Sequence, residues 1–178
     1  MKHKITEELE IPEGVNVSIE GGQITIEKEG NKAVRKFEGI SIKRNNGKLI
    51  LYTEKGTKRE KKLIMTFKAH IKNMVRGLTE KFVYKLKICS VHFPITATVE
   101  GPNFIIKNFL GEATPRKAKI IEGVEVKVEN ENITVSSNNI EPAGQTAANI
   151  ETATRVTGRD RRIFQDGIFI TEKPGRKL

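Results

Sequence analysis

The chain has 178 residues, 37% of them hydrophobic and 30% charged, with 32 Lys+Arg against 22 Asp+Glu and a net charge of +10. That length suits one medium domain or two small ones, and charge of that size makes a polyanion the default partner. No apolar run approaches the roughly 20 residues a membrane span needs. With Cys89 as the single cysteine, neither an internal disulfide nor a zinc cluster can be built.

The charge is segregated along the chain. Residues 1–42 carry 6 basic and 8 acidic side chains, net −2, and residues 43–87 carry 14 and 3, net +11. Residues 88–154 carry 5 and 8, net −3, and residues 155–178 carry 7 and 3, net +4. A surface serving only solubility mixes its signs more evenly.

Residues 1–10 read as a charged lead-in. They turn acidic at Glu7-Glu8, where a signal peptide would become apolar, so secretion is not expected, and the single cysteine fits a reducing, cytoplasmic setting. Val15, Val17 and Ile19 alternate with polar residues, Gly21-Gly22 turns the chain, and Ile24 and Ile26 resume the alternation, the pattern of a strand–turn–strand with one buried face. Short strands are expected at Ala33–Phe37, Ile40–Ile42 and Leu49–Tyr52, with a turn at Asn45-Asn46-Gly47. Leu63, Ile64, Phe67, Ile71, Met74, Val75 and Leu78 then fall at helical spacing and predict an amphipathic helix over residues 60–78. Lys61, Lys68, Lys72 and Arg76 recur away from that stripe, a basic face open to two readings, RNA contact or ordinary solvation.

Phe82, Tyr84, Leu86 and Ile88 alternate as a strand, and Cys89 reads as a small apolar filler beside them. Residues 95–106 repeat the Val15–Ile26 pattern at an offset of 80, including the turn after Glu-Gly. Val124–Val128 and Ile133–Val135 match the Leu49 region as another hairpin, and a second helix is expected from near Pro142, with Ala143, Ala147, Ile150 and Thr154 on one face. Hairpin, hairpin and helix recur in the same order. The expected fold is therefore α+β, a duplication of two similar domains, residues 1–81 and 82–178, each a mainly antiparallel sheet packed with one α-helix.

After the second helix, Arg155, Arg159, Arg161 and Arg162 lie within eight residues, followed by Asp166-Gly167 between apolar neighbours. That dipeptide favours a tight turn, so the segment reads as a hairpin that holds the arginines outward. The planar fork of arginine matches phosphate with two parallel charged hydrogen bonds, while the plainer reading is a solvated loop. The last residues, 171–178, read as a basic tail that orders on a partner or stays mobile.

Nothing in the chain assembles a nucleophile, base and oxyanion donors. His3, His70 and His92 lack metal-ligand spacing and read as solvated or hydrogen-bonded, and no phosphate-cradling glycine loop is present. No catalysis, cofactor, metal or small-molecule substrate is expected. With 6% aromatics, base stacking is a weaker mode than phosphate contact to a folded RNA.

Four stretches carry a resemblance. Val156–Ile170, with its Arg162-Ile163-Phe164-Gln165-Asp166-Gly167 core, resembles the C-terminal signature of the family of the sixth protein of the large ribosomal subunit, in its archaeal and eukaryotic form. Asn108-Phe109-Leu110-Gly111-Glu112, Gln145–Ile150 and the opening Ile11-Pro12-Glu13-Gly14-Val15 resemble it too. Thr152 departs from the family's usual second glutamine, and Glu29-Gly30-Asn31-Lys32 from its usual turn. The resemblance implies a duplicated two-domain fold and a structural constituent of the large subunit in the cytoplasm. Its C-terminal half would lie on large-subunit ribosomal RNA near the docking region of translational GTPases, beside neighbouring large-subunit proteins and away from membranes. It implies phosphate contacts from Arg155, Arg159, Arg161, Arg162, Lys173, Arg176 and Lys177. It also implies that Gly158 and Gly167 let the backbone approach RNA, and that Phe164 anchors the loop rather than stacking on a base. The alternative is a free basic nucleic-acid-binding module outside the ribosome.

Overall fold

A computed structural model describes residues 4–12, 14–45, 47–54 and 56–178. The backbone divides into two compact units, residues 1–80 and 81–178.

In the first unit the strands are β1 (Ile5–Glu10), β2 (Asn16–Glu20), β3 (Gln23–Lys28), β4 (Asn31–Lys36), β5 (Ser41–Asn45) and β6 (Lys48–Thr53), followed by helix α1 (Lys58–Thr79). They form two three-stranded antiparallel sheets, ordered β1-β6-β5 and β2-β3-β4. Alternation does the work. Val17, Ile24, Ile26, Leu49 and Leu51 fall on inward positions and are buried with Ile64, Ile71 and Leu78 of the helix. Asn46 of the expected Asn45–Gly47 turn lies outside the described residues, as does His3.

The second unit contains β7 (Phe82–Cys89), β8 (Thr96–Glu100), β9 (Asn103–Lys107), β10 (Arg116–Lys119), β11 (Glu125–Glu129), β12 (Asn132–Ser137), α2 (Ile140–Ala153), β13 (Gly167–Lys173) and β14 (Arg176–Lys177). Its sheets run β10-β9-β8 and β11-β12-β7-β13-β14. Strand for strand, β7-β12-β11 repeats β1-β6-β5, and β8-β9-β10 repeats β2-β3-β4. The duplicated α+β architecture is therefore a repeat of topology and not only of sequence pattern. Phe104, Phe109, Ile106, Leu86, Ile133, Val135, Ala147, Ile150 and Ile168 make the core.

Helix α2 is set by local chemistry. The Asn139 side chain accepts the Glu141 N–H at 3.1 Å as N-cap. Small residues on its inner face allow close approach to the sheet: a Cβ on Gly144 would lie 2.8 Å from Tyr84 Oη and 3.2 Å from its Cζ. Burial beneath the helix raises the Tyr84 hydroxyl pKa.

Three expectations need correction. The supposed lead-in contains β1, which takes the place in the first unit that β7 takes in the second. Its acidic residues hid it: only Leu9 is fully buried, and Glu7 on the inward face pairs with Lys68 at 2.6 Å. Asp166-Gly167 is not a hairpin turn, because Asp166 is buried and Gly167 begins β13. The turn lies further on, at Pro174-Gly175, where Gly175 has φ +82°. Consequently the C-terminal residues are not a free tail, since β14 pairs with β13 through Glu172–Lys177 and Lys173–Arg176.

Candidate nucleic-acid interface

The arginine cluster sits on the loop of residues 155–165 between α2 and β13, and both ends of that loop are tied to the core. At its start, buried Thr154 closes α2. Its hydroxyl donates to the Glu151 carbonyl at 3.1 Å and accepts the Ile168 N–H of β13 at 2.9 Å. Arg116 braces the same corner by donating to the carbonyls of Ala153 at 2.9 Å and Arg155 at 3.4 Å, while its fork grips the Glu112 carboxylate at 2.6 and 2.8 Å. The hydrogen bond from Arg116 holds the Glu112 carboxyl below its ordinary pKa against the opposing effect of burial, with a smaller contribution from the charge of Arg159.

At the loop's end, Asp166 is 1% exposed. One carboxylate oxygen accepts the N–H groups of Val91 and His92 at 2.7 and 2.9 Å, and the other meets His92 Nδ1 at 2.6 Å. Burial alone would push this carboxyl up. The hydrogen bonds from the His92 backbone, the His92 ring and the Val91 backbone outweigh it and hold the pKa at about 2. The His92 ring in turn stacks on Phe164, centroids 4.9 Å apart, and the Arg159 guanidinium lies 4.7 Å from the Phe164 ring centre. Within the loop, the Asp160 carbonyl accepts the N–H groups of Ile163 and Phe164, and its carboxylate takes the Arg162 fork at 2.7–3.2 Å.

The structure thus brings Arg155, Arg159, Arg161 and Arg162 together on one exposed loop. Among the described residues Arg155 and Arg161 have no ion pair. Arg162 is held by Asp160, yet its side chain remains 89% exposed. Gly158 is exposed with φ +70° and open space at its Cβ position, so backbone is presented there. Gly167 is a correction: it is buried, and a Cβ would sit 3.0 Å from Phe169 Cζ, so its smallness serves packing inside the unit rather than approach of an outside chain. Lys173, Arg176 and Lys177 stand apart from the loop. They lie at the far end of seven-residue β13, roughly 20 Å from its start at about 3.3 Å per residue. Lys177 is shared with Glu172, 3.7 Å away.

An open groove of about 820 Å³ runs beside the loop, lined by Cys89, Val91, Arg155, Arg161, Phe164 and Phe169 among others. The sequence reading missed Arg116, Glu112 and His92 as supports. Glu112 was signalled only by the Asn108–Glu112 likeness, and Arg116 and His92 carried no signal of their own, because the backbone and carboxylate groups they hold lie 37 and 74 residues away. The basic face of α1 is less open than its spacing suggested: Lys68 is committed to Glu7, and Arg76 lies 3.8 Å from Glu80. No helix among the described residues is long and apolar enough to cross a membrane.

Two matching sheet-plus-helix units, one presenting a braced and exposed arginine loop, define a duplicated α+β protein. The family model described as ribosomal protein L6 matches residues 11–81 and 93–167, one span in each unit. The large ribosomal subunit protein uL6 of Methanococcus vannielii is 48% identical over 177 residues, covering 98% of this chain and 97% of that one. The protein of the same name from Sulfurisphaera tokodaii is 44% identical over 170 residues, covering 94% and 91%. The chain belongs to the ribosomal protein L6 family.

Proposed function

We propose that the chain is a structural constituent of the large ribosomal subunit and grips large-subunit ribosomal RNA mainly through its second unit, near the docking region of translational GTPases. The observation that carries this is the braced loop. Four exposed arginines are borne on a backbone whose ends are fixed by Thr154 and Asp166, so binding phosphate orders little that is not already ordered. The contacts are to phosphate, from Arg155, Arg159, Arg161 and Arg162, with Gly158 allowing close approach of the main chain. Lys173, Arg176 and Lys177 form a second, separate contact, and neighbouring ribosomal proteins pack around the rest. The family's C-terminal likeness supports the placement, and family membership supports a role in positioning RNA rather than reacting with it.

The test is a nuclease footprint on large-subunit RNA, with co-sedimentation through a high-salt wash. The wild-type chain protects a folded RNA region. Replacing Arg159, Arg161 and Arg162 together with alanine weakens RNA binding at least tenfold and lowers the log–log salt slope by about 2 to 3, one increment per lost phosphate contact. Unaltered assembly in that variant, alongside loss on changing Lys68, Lys72 and Arg76, would move the interface to the first unit.

A further inference from the structure

The two units differ at one sheet edge. In the second unit β13 pairs along the outer edge of β7. In the first unit the equivalent edge, that of β1, has no strand beside it among the described residues. The equivalence is fixed by hydrogen bonding. Ile11 N–H bonds the Gly47 carbonyl as Ile88 N–H bonds that of Glu131, so Leu9 corresponds to Leu86, Glu8 to Lys85, Glu10 to Lys87 and Pro12 to Cys89. Bonded pairs alternate in an antiparallel ladder. Ile5, Glu7, Leu9 and Ile11 therefore turn their backbone groups to β6, and Thr6, Glu8 and Glu10 turn theirs to the open edge. A groove of about 640 Å³ lies there, between β1 and α1, lined by Glu8, Leu9, Pro12, Lys72 and Val75 among others.

We propose that this edge receives an extended segment of another polypeptide, added as an antiparallel strand in the place that β13 fills in the second unit, with residues alternately apolar and basic. The apolar set faces the Leu9–Val75 floor, as Ile168 and Ile170 face the core beside β7. The basic set follows from charge. On the exposed face Lys85 of β7 meets Glu172 of β13 at 2.8 Å. The corresponding residue of β1 is acidic, and so is Glu10. These two carboxylates, 57% and 84% exposed, share the single Lys48, at 3.3 and 3.6 Å. A lysine or arginine on the incoming strand supplies the missing countercharge. A second copy of this chain is disfavoured, since pairing two such edges sets carboxylate against carboxylate. A nucleic-acid strand is disfavoured too. Lys68 is held by Glu7 and Arg76 lies near Glu80, while Glu8 and Glu10 would face the phosphates.

The probe is the β13 heptapeptide Gly167–Lys173 carrying Phe169→Lys and Glu172→Lys, which places lysines opposite Glu10 and Glu8. It is added at millimolar concentration to the full chain while amide exchange is read residue by residue. The expected result is slowing of the Glu8 and Glu10 amides by fivefold or more, with the Thr6 amide, beyond the peptide's reach, unchanged. That slowing is lost when the peptide is N-methylated on its edge-facing amides, a change that leaves the protein untouched. In a Glu8→Lys/Glu10→Lys chain the preference passes to the heptapeptide with Glu at both positions. Unchanged exchange at saturating peptide, or slowing that survives N-methylation, overturns the proposal. Equal slowing by an RNA oligonucleotide, or slowing that tracks protein concentration without peptide, overturns it as well.

Discussion

Asp166 is an acid in a basic loop, and its role is structural. Its carboxyl sits at about 2 in the folded chain against an ordinary 3.8. A depressed folded value contributes stability that is fully present above the unfolded pKa, about pH 5 and upward. That stability is lost as pH falls from about 4 towards 2 and amounts to about 2 kcal/mol. Chemical denaturation of the second unit should show that loss. In an Asp166→Asn chain the slope between pH 5 and 2 should flatten, with lower stability at pH 7, because an amide cannot accept from Val91, His92 and the imidazole together. A second prediction concerns Gly167. Gly167→Ala brings a Cβ to 3.0 Å from the Phe169 ring and should cost about 1–3 kcal/mol in the same assay. An exposed glycine at Gly158 has open space and carries only its positive φ, so Gly158→Ala should cost about 1 kcal/mol.

At the scale of elements, α2 and β7 are matched through the Gly144–Tyr84 contact. Gly144→Ala gains helix propensity of about 1 kcal/mol but sets a methyl 2.8 Å from the Tyr84 hydroxyl. We expect net destabilisation in the wild-type background and a smaller or reversed effect with Tyr84→Phe. A double-mutant cycle read by thermal denaturation measures that coupling, and additive effects would exclude the contact as its cause. Helix α2 was readable because its small residues recur at helical spacing, and α1 because seven apolar residues do. Strand β1 was not, because an edge strand with one face in solvent carries as many carboxylates as a coil would, and Glu7 is reconciled with the inward face only by Lys68, 61 residues later.

For the whole molecule, each unit closes its own core: Ile24, Ile26, Leu49, Leu51, Ile64 and Ile71 in one, and Phe104, Ile106, Ile133, Ile150 and Ile168 in the other, all fully buried. Residues 81–178 expressed alone should therefore unfold cooperatively and keep the RNA footprint of the second unit. A non-cooperative melt by calorimetry would refute this. Ile150→Ala should destabilise that unit by about 2–5 kcal/mol without altering the first.

By itself, the sequence determined the duplicated α+β plan, most strands, both helices and the place of the arginine cluster. Those features rest on short-range periodicity, which a single chain displays directly. Tertiary structure alone decided that Asp166 is an anchor and not a turn residue, that Gly167 makes room for a ring, and that the C-terminal residues return as β14. It also decided that one sheet edge is filled while its counterpart has no strand beside it among the described residues. Each of these depends on a partner distant along the chain, brought near by strand pairing, and residue spacing carries no record of which distant groups that pairing will join.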